Sequence, residues 1–176
     1  TAMEEALGMS FAGKRALVCM KHVGMNVAAD AFVNSAMTGA NGGLVVVAAD
    51  DPSMHSSQNE QDSRFYGKFA LVPTFEPSTQ QEAYDMVQAA FDFSEKYRIP
   101  VLMRLTTRMA HSRAMVEPRE ARSENSLAYP ARTRQWVLMP GNSRVRYEAL
   151  LADYARFEEE AAASPFNRYA DAEDKS

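Results

Sequence analysis

The chain has 176 residues, of which 46% are hydrophobic, and its formal net charge at pH 7 is −4. The apolar fraction is enough for a packed core and excludes a disordered chain, while the acidic balance argues against nucleic acid or an anionic membrane as a partner. No apolar run approaches the ~20 residues of a membrane span and the N-terminus does not look like a signal peptide, so we expect a cytoplasmic protein.

Hydrophobic spacing and turn residues predict alternating helices and strands. In chain order they are a helix (2–12), a strand (16–20), a helix (26–38), a strand (44–49), a short strand (70–74), a helix (79–97), a strand (101–106), a short strand (135–139) and a helix (143–163). Such alternation predicts an α/β fold with a mainly parallel sheet and right-handed crossovers. Cys19 lies in the first strand, where we expect it to be buried, and as the only cysteine it excludes an internal disulfide and a cluster site in this chain.

The pattern lapses between residues 111 and 134, where charges, prolines and small polar residues dominate. We therefore expect an α/β domain over 1–110, followed over 111–176 by an extended arm, a short strand and a C-terminal helix. The polar tail 169–176 is expected to be poorly ordered.

The stretch 42–65, GGLVVVAADDPSMHSSQNEQDSRF, is the most informative part of the chain. Its Val-rich run 44–49 is typical of a strand buried on both faces of a parallel sheet. Pro52 ends the strand, and a long polar loop follows. Because ligands bind beyond the carboxyl ends of parallel strands, we expect a site at this loop.

Together with MKHVGMNVAAD at 20–30 and RLTTR at 104–108, this stretch closely resembles the alpha subunits of indolepyruvate ferredoxin oxidoreductases. They are members of the 2-oxoacid:ferredoxin oxidoreductase family, which uses thiamine diphosphate. The resemblance covers nearly the whole chain and is densest over 16–113. It implies the thiamine diphosphate-binding fold, a three-layer α/β/α arrangement.

The resemblance also implies how the cofactor is held. In this family it lies between two α/β domains, and the chain resembles the one that binds the pyrimidine ring. The family's glutamate precedes the first helix, so we expect it upstream of Thr1, in a longer subunit of which this chain is a fragment. Glu4 and Glu5 are possible substitutes, although carboxylates near a helix start are usually explained by the helix dipole.

Other parts of the family's machinery have no counterpart in this sequence. The Gly-Asp-Gly metal motif and the cysteine clusters are missing, so Mg²⁺ and [4Fe–4S] clusters are expected in the full-length protein and not in this chain. The chain alone is therefore expected to be inactive. The resemblance implies a beta subunit, ferredoxin, a 2-oxoacid substrate, coenzyme A and an oligomeric assembly, with oxidative decarboxylation of aryl 2-oxoacids to acyl-CoA as the reaction.

The residues expected to line the site follow predicted strands. A 2-oxoacid carboxylate needs cations or fixed donors, and the N–H groups at a helix start suit an anion or a ring nitrogen. The candidates are His22 and His55 as catalytic residues, Gly24 and Asn26 (either of which could cap the helix 26–38) for the cofactor, and Lys21, Ser56, Gln58, Asn59 and Arg108 for the substrate. Each also has a structural interpretation, as a solvated charge, a self-bonded loop, a helix cap or an ion pair.

Two features limit this assignment. Related pyruvate enzymes carry a substrate-binding arginine where this sequence has Asp50 or Asp51, so that role does not transfer directly. The three histidines are too widely spaced for a metal-ligand pattern. Two alternatives stay open: a non-catalytic assembly module of a multisubunit complex, and a non-redox thiamine diphosphate decarboxylase.

Overall fold

A computed structural model describes residues 1–130 and 133–168. The helices are α1 (Ala2–Phe11), α2 (His22–Val27), α3 (Ala29–Thr38), α4 (Arg64–Ala70), α5 (Gln80–Tyr97), α6 (Thr107–Ala110) and α7 (Pro140–Ala162), and the strands are β1 (Ala16–Lys21), β2 (Leu44–Asp50), β3 (Thr74–Phe75) and β4 (Val101–Thr106). The strands form one parallel sheet in the order β1-β2-β4-β3. The predicted α/β class with a parallel sheet is confirmed.

The sheet lies between two helical layers. Alternate residues of β2 point to opposite faces: Val46 packs with side chains of α1, α3 and α7, while Val45 and Val47 pack with α5. Both faces of β2 are buried, which explains why its sequence is a continuous apolar run rather than an alternating one. This α/β/α arrangement aligns the carboxyl ends of all four strands at one edge.

The helix α5 follows its predicted bounds closely. Thr79 is its N-cap, and the Thr79 hydroxyl accepts a hydrogen bond from the backbone N–H of Glu82 at 3.1 Å. The Glu82 carboxylate in turn accepts one from the backbone N–H of Ser78 at 2.8 Å. This reciprocal capping is the signal that the sequence carried.

The region after β1 differs from the prediction of a loop at 21–24 and one helix over 26–38. Helix α2 begins at His22, directly after the strand, and Ala28 separates it from α3. The side chains of His22 and Met25, about one turn apart, are both fully buried. This burial stabilises a helix whose valines and glycine have low helix propensity.

The predicted strand 70–74 is wrong except for its last residue. Helix α4 runs to Ala70, and Leu71 ends it in the left-handed conformation (φ 58°). Gly67 lies so close to the Thr74 side chain that no Cβ would fit between them. Phe65 and Phe69 are exposed on the side of the helix away from Gly67.

The predicted strand 135–139 is also wrong. A 3-10 helix occupies Arg134–Trp136, and the Trp136 ring stacks on Phe11 of α1 with centroids 4.1 Å apart. Cys19 is exposed rather than buried. It lies in β1, at the edge of the sheet, where Leu17 is exposed on the same face.

Residues 113–130, in the predicted arm, form no helix or strand and run along α5. Arg119 pairs with Asp85 at 2.9 Å and Arg122 with Asp92 at 2.5 Å. Helix α7 then returns to pack on the α3 side of the sheet. Within residues 1–130 and 133–168, no helix is long and apolar enough to cross a membrane. The tail 169–176 lies outside the described residues.

Candidate functional site

The carboxyl ends of the four strands meet at one edge of the sheet, because all are parallel. The segments that follow them are α2 after β1, the loop 51–63 after β2, and α6 after β4. This edge is the candidate site.

Lys21, at the end of β1, and His22 and Asn26, in α2, bind the loop 51–63. Lys21 Nζ donates to the hydroxyl of Ser57 at 2.7 Å and lies 3.5 Å from that of Ser56. Asn26 donates to Gln61 at 3.3 Å, and Gln61 donates to the side-chain oxygen of Asn59 at 3.1 Å. The segments carrying the predicted residues are therefore joined into one polar surface.

His22 is the most deeply buried member of this surface, with 0% of its surface exposed. Its Nε2 lies 3.1 Å from the backbone carbonyl of Asn59. A carbonyl oxygen can only accept, so Nε2 carries the proton and donates it. In the neutral ring Nδ1 is then an acceptor, and it has no hydrogen-bond partner among the described residues. A buried polar atom without a hydrogen-bond partner lowers the stability of the folded state by about 1–3 kcal/mol. A donor from a ligand or a water molecule at Nδ1 would remove this cost.

The first part of the loop has a strained backbone. Ser53 and Met54 both adopt the left-handed region, with φ of 66° and 54°. For L residues other than glycine this conformation costs roughly 1–2 kcal/mol per residue. The carboxylate of Glu60 accepts from the backbone N–H of Ser53 at 2.9 Å, and the carbonyl of Asp51 accepts from that of Met54 at 3.0 Å.

Asp51 holds the following residues of the loop. Its buried carboxylate accepts hydrogen bonds from the hydroxyl of Thr107 at 2.7 Å and from the backbone N–H groups of Ser56 at 2.8 Å and His55 at 3.2 Å. These bonds, the Thr107 hydroxyl foremost, hold the pKa of Asp51 well below its ordinary value. The group is therefore an ionised acceptor near neutral pH and does not donate a proton.

Arg104, a strand-end cation that could have served a substrate carboxylate, is already paired. Its Nε donates to the buried carboxylate of Asp50 at 2.6 Å, and its Nη1 pairs with Glu76 after β3. The Asp50 carboxylate also accepts from the backbone N–H of Ser63 at 2.9 Å. This cluster fixes the β2, β3 and β4 ends to one another and commits the Nε and Nη1 donors of Arg104.

Gly24 and Asn26 lie inside α2, so neither is the expected cap, and Lys21 occupies the N-cap position without a capping side-chain bond. His55 is exposed, and among the described residues it is held only through its backbone. The side chains of Gln58 and Arg108 are exposed and make no hydrogen bond or ion pair with any described residue.

Sequence reasoning missed four residues that organise this edge: Asp51, Ser57, Gln61 and Thr107. The signal was available for Asp51 and Thr107, since each is a hydrogen-bonding residue directly after a buried strand. Ser57 and Gln61 could not be singled out, because the loop contains many similar hydroxyl and amide side chains.

Two cavities lie outside the polar surface that Lys21, His22 and Asn26 form with the loop 51–63, although the second is lined in part by Glu76, the partner of Arg104. One of about 180 Å³ is lined by Gly39, Arg98 and Arg146 and lies near the amino ends of β2 and β4, the opposite edge of the sheet. The other, of about 400 Å³, lies on the β3 side and is lined by Arg64, Glu76 and other residues. Over residues 1–130 and 133–168, no group of three or more His, Cys, Asp or Glu side chains is arranged to hold a metal ion.

Comparison with known proteins decides the family. Residues 1–165 match the family model described as pyruvate flavodoxin/ferredoxin oxidoreductase, thiamine diphosphate-binding. The chain belongs to this family. It is similar to indolepyruvate oxidoreductase subunit IorA of Pyrococcus abyssi (48% identity over 172 residues, 94% of this chain and 26% of the relative) and of Methanothermobacter marburgensis (45% over 168 residues, 95% and 27%). It is also similar to that of Archaeoglobus fulgidus (57% over 116 residues, 66% and 19%).

The chain spans about a quarter of the length of the first two relatives. This family membership confirms the family that the sequence was found to resemble and the thiamine diphosphate-binding fold. It also assigns the chain to a family of oxidoreductases. The four-stranded parallel sheet with flanking helices agrees with that fold.

Proposed function

We propose that this chain forms the pyrimidine-binding side of the thiamine diphosphate site in an aryl 2-oxoacid:ferredoxin oxidoreductase. The whole enzyme would convert indolepyruvate and related 2-oxoacids to acyl-CoA by oxidative decarboxylation. Its beta subunit, ferredoxin and coenzyme A are the partners, and Mg²⁺ and [4Fe–4S] clusters would be held outside this chain. On this proposal the chain by itself is inactive, since it supplies one half of the cleft.

The observation that carries the proposal is the buried His22 at the end of β1. Its Nε2–H is committed to the carbonyl of Asn59, and its Nδ1 is an acceptor without a described partner. The aminopyrimidine ring of the cofactor has an amino group, a donor of the kind that this nitrogen lacks. Bound thiamine diphosphate supplies the carbon nucleophile and the electron sink for decarboxylation, and the protein orients it.

Lys21 supports the substrate side of the proposal. Its ammonium group is exposed at the same edge and is held by the hydroxyls of Ser56 and Ser57. A lysine ammonium has three donors, so it can bind a carboxylate while keeping a serine contact. Gln58, Asn59 and Arg108 are further proposed contacts for the substrate, and His55 is proposed to act on the reacting groups from the exposed part of the loop.

The test is made in the assembled enzyme with the full-length subunit. His22→Ala and His55→Ala should each lower turnover by about tenfold or more, because general acid–base or positioning groups contribute on the order of 10²–10⁴-fold. Subunit assembly, measured by gel filtration, should be unchanged. His111→Ala is the matched control, because His111 follows α6 and is exposed.

Two outcomes would favour the alternatives. Wild-type turnover in both histidine variants would support a non-catalytic assembly module. Decarboxylation that releases an aldehyde without reducing ferredoxin would support a non-redox decarboxylase.

A further inference from the structure

The loop after β2 keeps a conformation that its sequence does not favour. Ser53 and Met54 are consecutive left-handed residues, and neither is the glycine or asparagine that this region usually contains. Strained backbone of this kind persists only where surrounding contacts determine it, and it is frequent at functional sites.

The contacts that hold residues 54–56 converge on Asp51, whose side chain is buried directly after β2, while Glu60 accepts from the N–H of Ser53. Its Oδ1 accepts from the Thr107 hydroxyl and the His55 N–H, and its Oδ2 accepts from the N–H and hydroxyl of Ser56. A carboxylate offers about four lone-pair sites, so these donors use all of them. The Asp51 carbonyl accepts from Met54 as well, which closes the strained turn.

The donors come from two parts of the fold. Thr107 begins α6 after β4, where its hydroxyl also lies 3.1 Å from the carbonyl of Asp50, whereas His55 and Ser56 belong to the loop. Asp51 therefore ties the loop to the rigid end of the β2–β4 pair. The held segment continues to Ser57, whose hydroxyl receives the hydrogen bond from Lys21.

We propose that Asp51 is a positioning residue that fixes the segment 53–57, so that Ser56 and Ser57 hold the Lys21 ammonium group in place to bind a 2-oxoacid carboxylate. This proposal rests on the function proposed above and adds the residue that sets the geometry of the substrate side. Asp51 does not touch the reacting atoms. Asp50, its neighbour, serves the opposite side of β2 through Arg104 and Ser63.

The test again uses the assembled enzyme with the full-length subunit. In Asp51→Asn one carboxylate oxygen becomes an NH₂ group, which meets N–H donors instead of accepting from them. Hydrogen exchange of the backbone amides in 53–57 should become at least about tenfold faster, while exchange in β2 and β4 stays unchanged. The KM for the 2-oxoacid should rise about tenfold, as expected for a lost hydrogen-bonding arrangement, with kcat within about twofold.

A second substitution separates positioning from general stability. Glycine adopts the left-handed region without steric cost, so Met54→Gly removes part of the strain that Asp51 offsets. Asp51→Asn combined with Met54→Gly should return KM to within about threefold of wild type. Thr107→Val, which removes one donor and keeps the carboxylate, should give a smaller rise in KM and serves if Asp51→Asn folds poorly.

Asp85→Asn is the matched control, because Asp85 is a hydrogen-bonded aspartate on α5, and its KM should equal that of wild type. Unchanged hydrogen exchange in 53–57 of Asp51→Asn would overturn the positioning role of Asp51 and leave the proposed function standing. Faster exchange with a wild-type KM would overturn its role in the reaction. If turnover is also normal in His22→Ala, the proposed function fails with it.

Discussion

Arg104 and Asp50 are held together in the interior, with only 7% and 1% of their side chains exposed. Removing one partner of a buried ion pair leaves the other charge without compensation, which costs roughly 3–5 kcal/mol. We therefore expect Arg104→Met to lower the free energy of unfolding by about 3 kcal/mol, as measured by urea denaturation.

The double variant Arg104→Met with Asp50→Asn tests the cause. It removes both charges, so its loss should be smaller than the sum of the two single losses. Strict additivity would mean that the two side chains contribute separately.

The same pair marks a limit of what single residues reveal in a sequence. Arg104 lies inside β4 near its carboxyl end, and its place in the sequence does not show that it is paired rather than free to bind a substrate. Its partner lies 54 residues away in the chain, and only the register of β2 against β4 brings them together. Lys21 ends β1, His22 follows it and Asn59 lies in the loop after β2, so a parallel sheet predicts that they are neighbours.

Among the turns and helices, glycines give a clear contrast. At Gly42, between α3 and β2, an added Cβ would lie 2.3 Å from the carbonyl oxygen of Lys14, whereas at Gly8 in α1 nothing lies within 4 Å. Gly42→Ala should destabilise the chain by about 1–3 kcal/mol or more through overpacking. Gly8→Ala should stabilise it by roughly 0.5–1 kcal/mol, because alanine favours a helix interior.

Thermal unfolding of the two variants makes the comparison direct. Opposite shifts in Tm are expected, and a rise in Tm for Gly42→Ala would contradict the close approach to the Lys14 backbone. Gly8 lies within the helix that the sequence predicts over 2–12, and the open space around it leaves room for a side chain.

The predicted elements fall into two groups for a physical reason. Helix α5 and the strands β2 and β4 carry their own caps, breakers and periodicity, and the sequence predicts them well. Helix α2 carries none of these signals. It forms because His22 and Met25 are buried against the rest of the molecule, which no local pattern reports.

For the whole molecule, alternation predicts a parallel sheet but not the strand order β1-β2-β4-β3. The order depends on crossovers, and the short β3 was predicted too early in the chain because the apolar residues before it belong to the end of α4 and the turn that follows. The division at residue 110 into a domain and an arm stays a prediction. It matters for function, because α7 lies beyond that point.

Helix α7 offers a test of whether the C-terminal region is part of the core. Leu150 and Leu151 are adjacent, but Leu150 is 7% exposed in the main core whereas Leu151 is 47% exposed. Leu150→Ala should lower the free energy of unfolding by about 2–5 kcal/mol, the usual cost of truncating a buried leucine. Leu151→Ala should change it by no more than about 0.5 kcal/mol.

Chemical denaturation followed by the fluorescence of Trp136 and by circular dichroism measures both variants. If α7 belongs to the same cooperative unit as the sheet, the two signals should shift together in Leu150→Ala. A shift in one signal only, or equal and small losses in both variants, would mean that α7 unfolds separately from the sheet. The arm along α5 would then connect two independent parts, and the core that supports the candidate site would end before it.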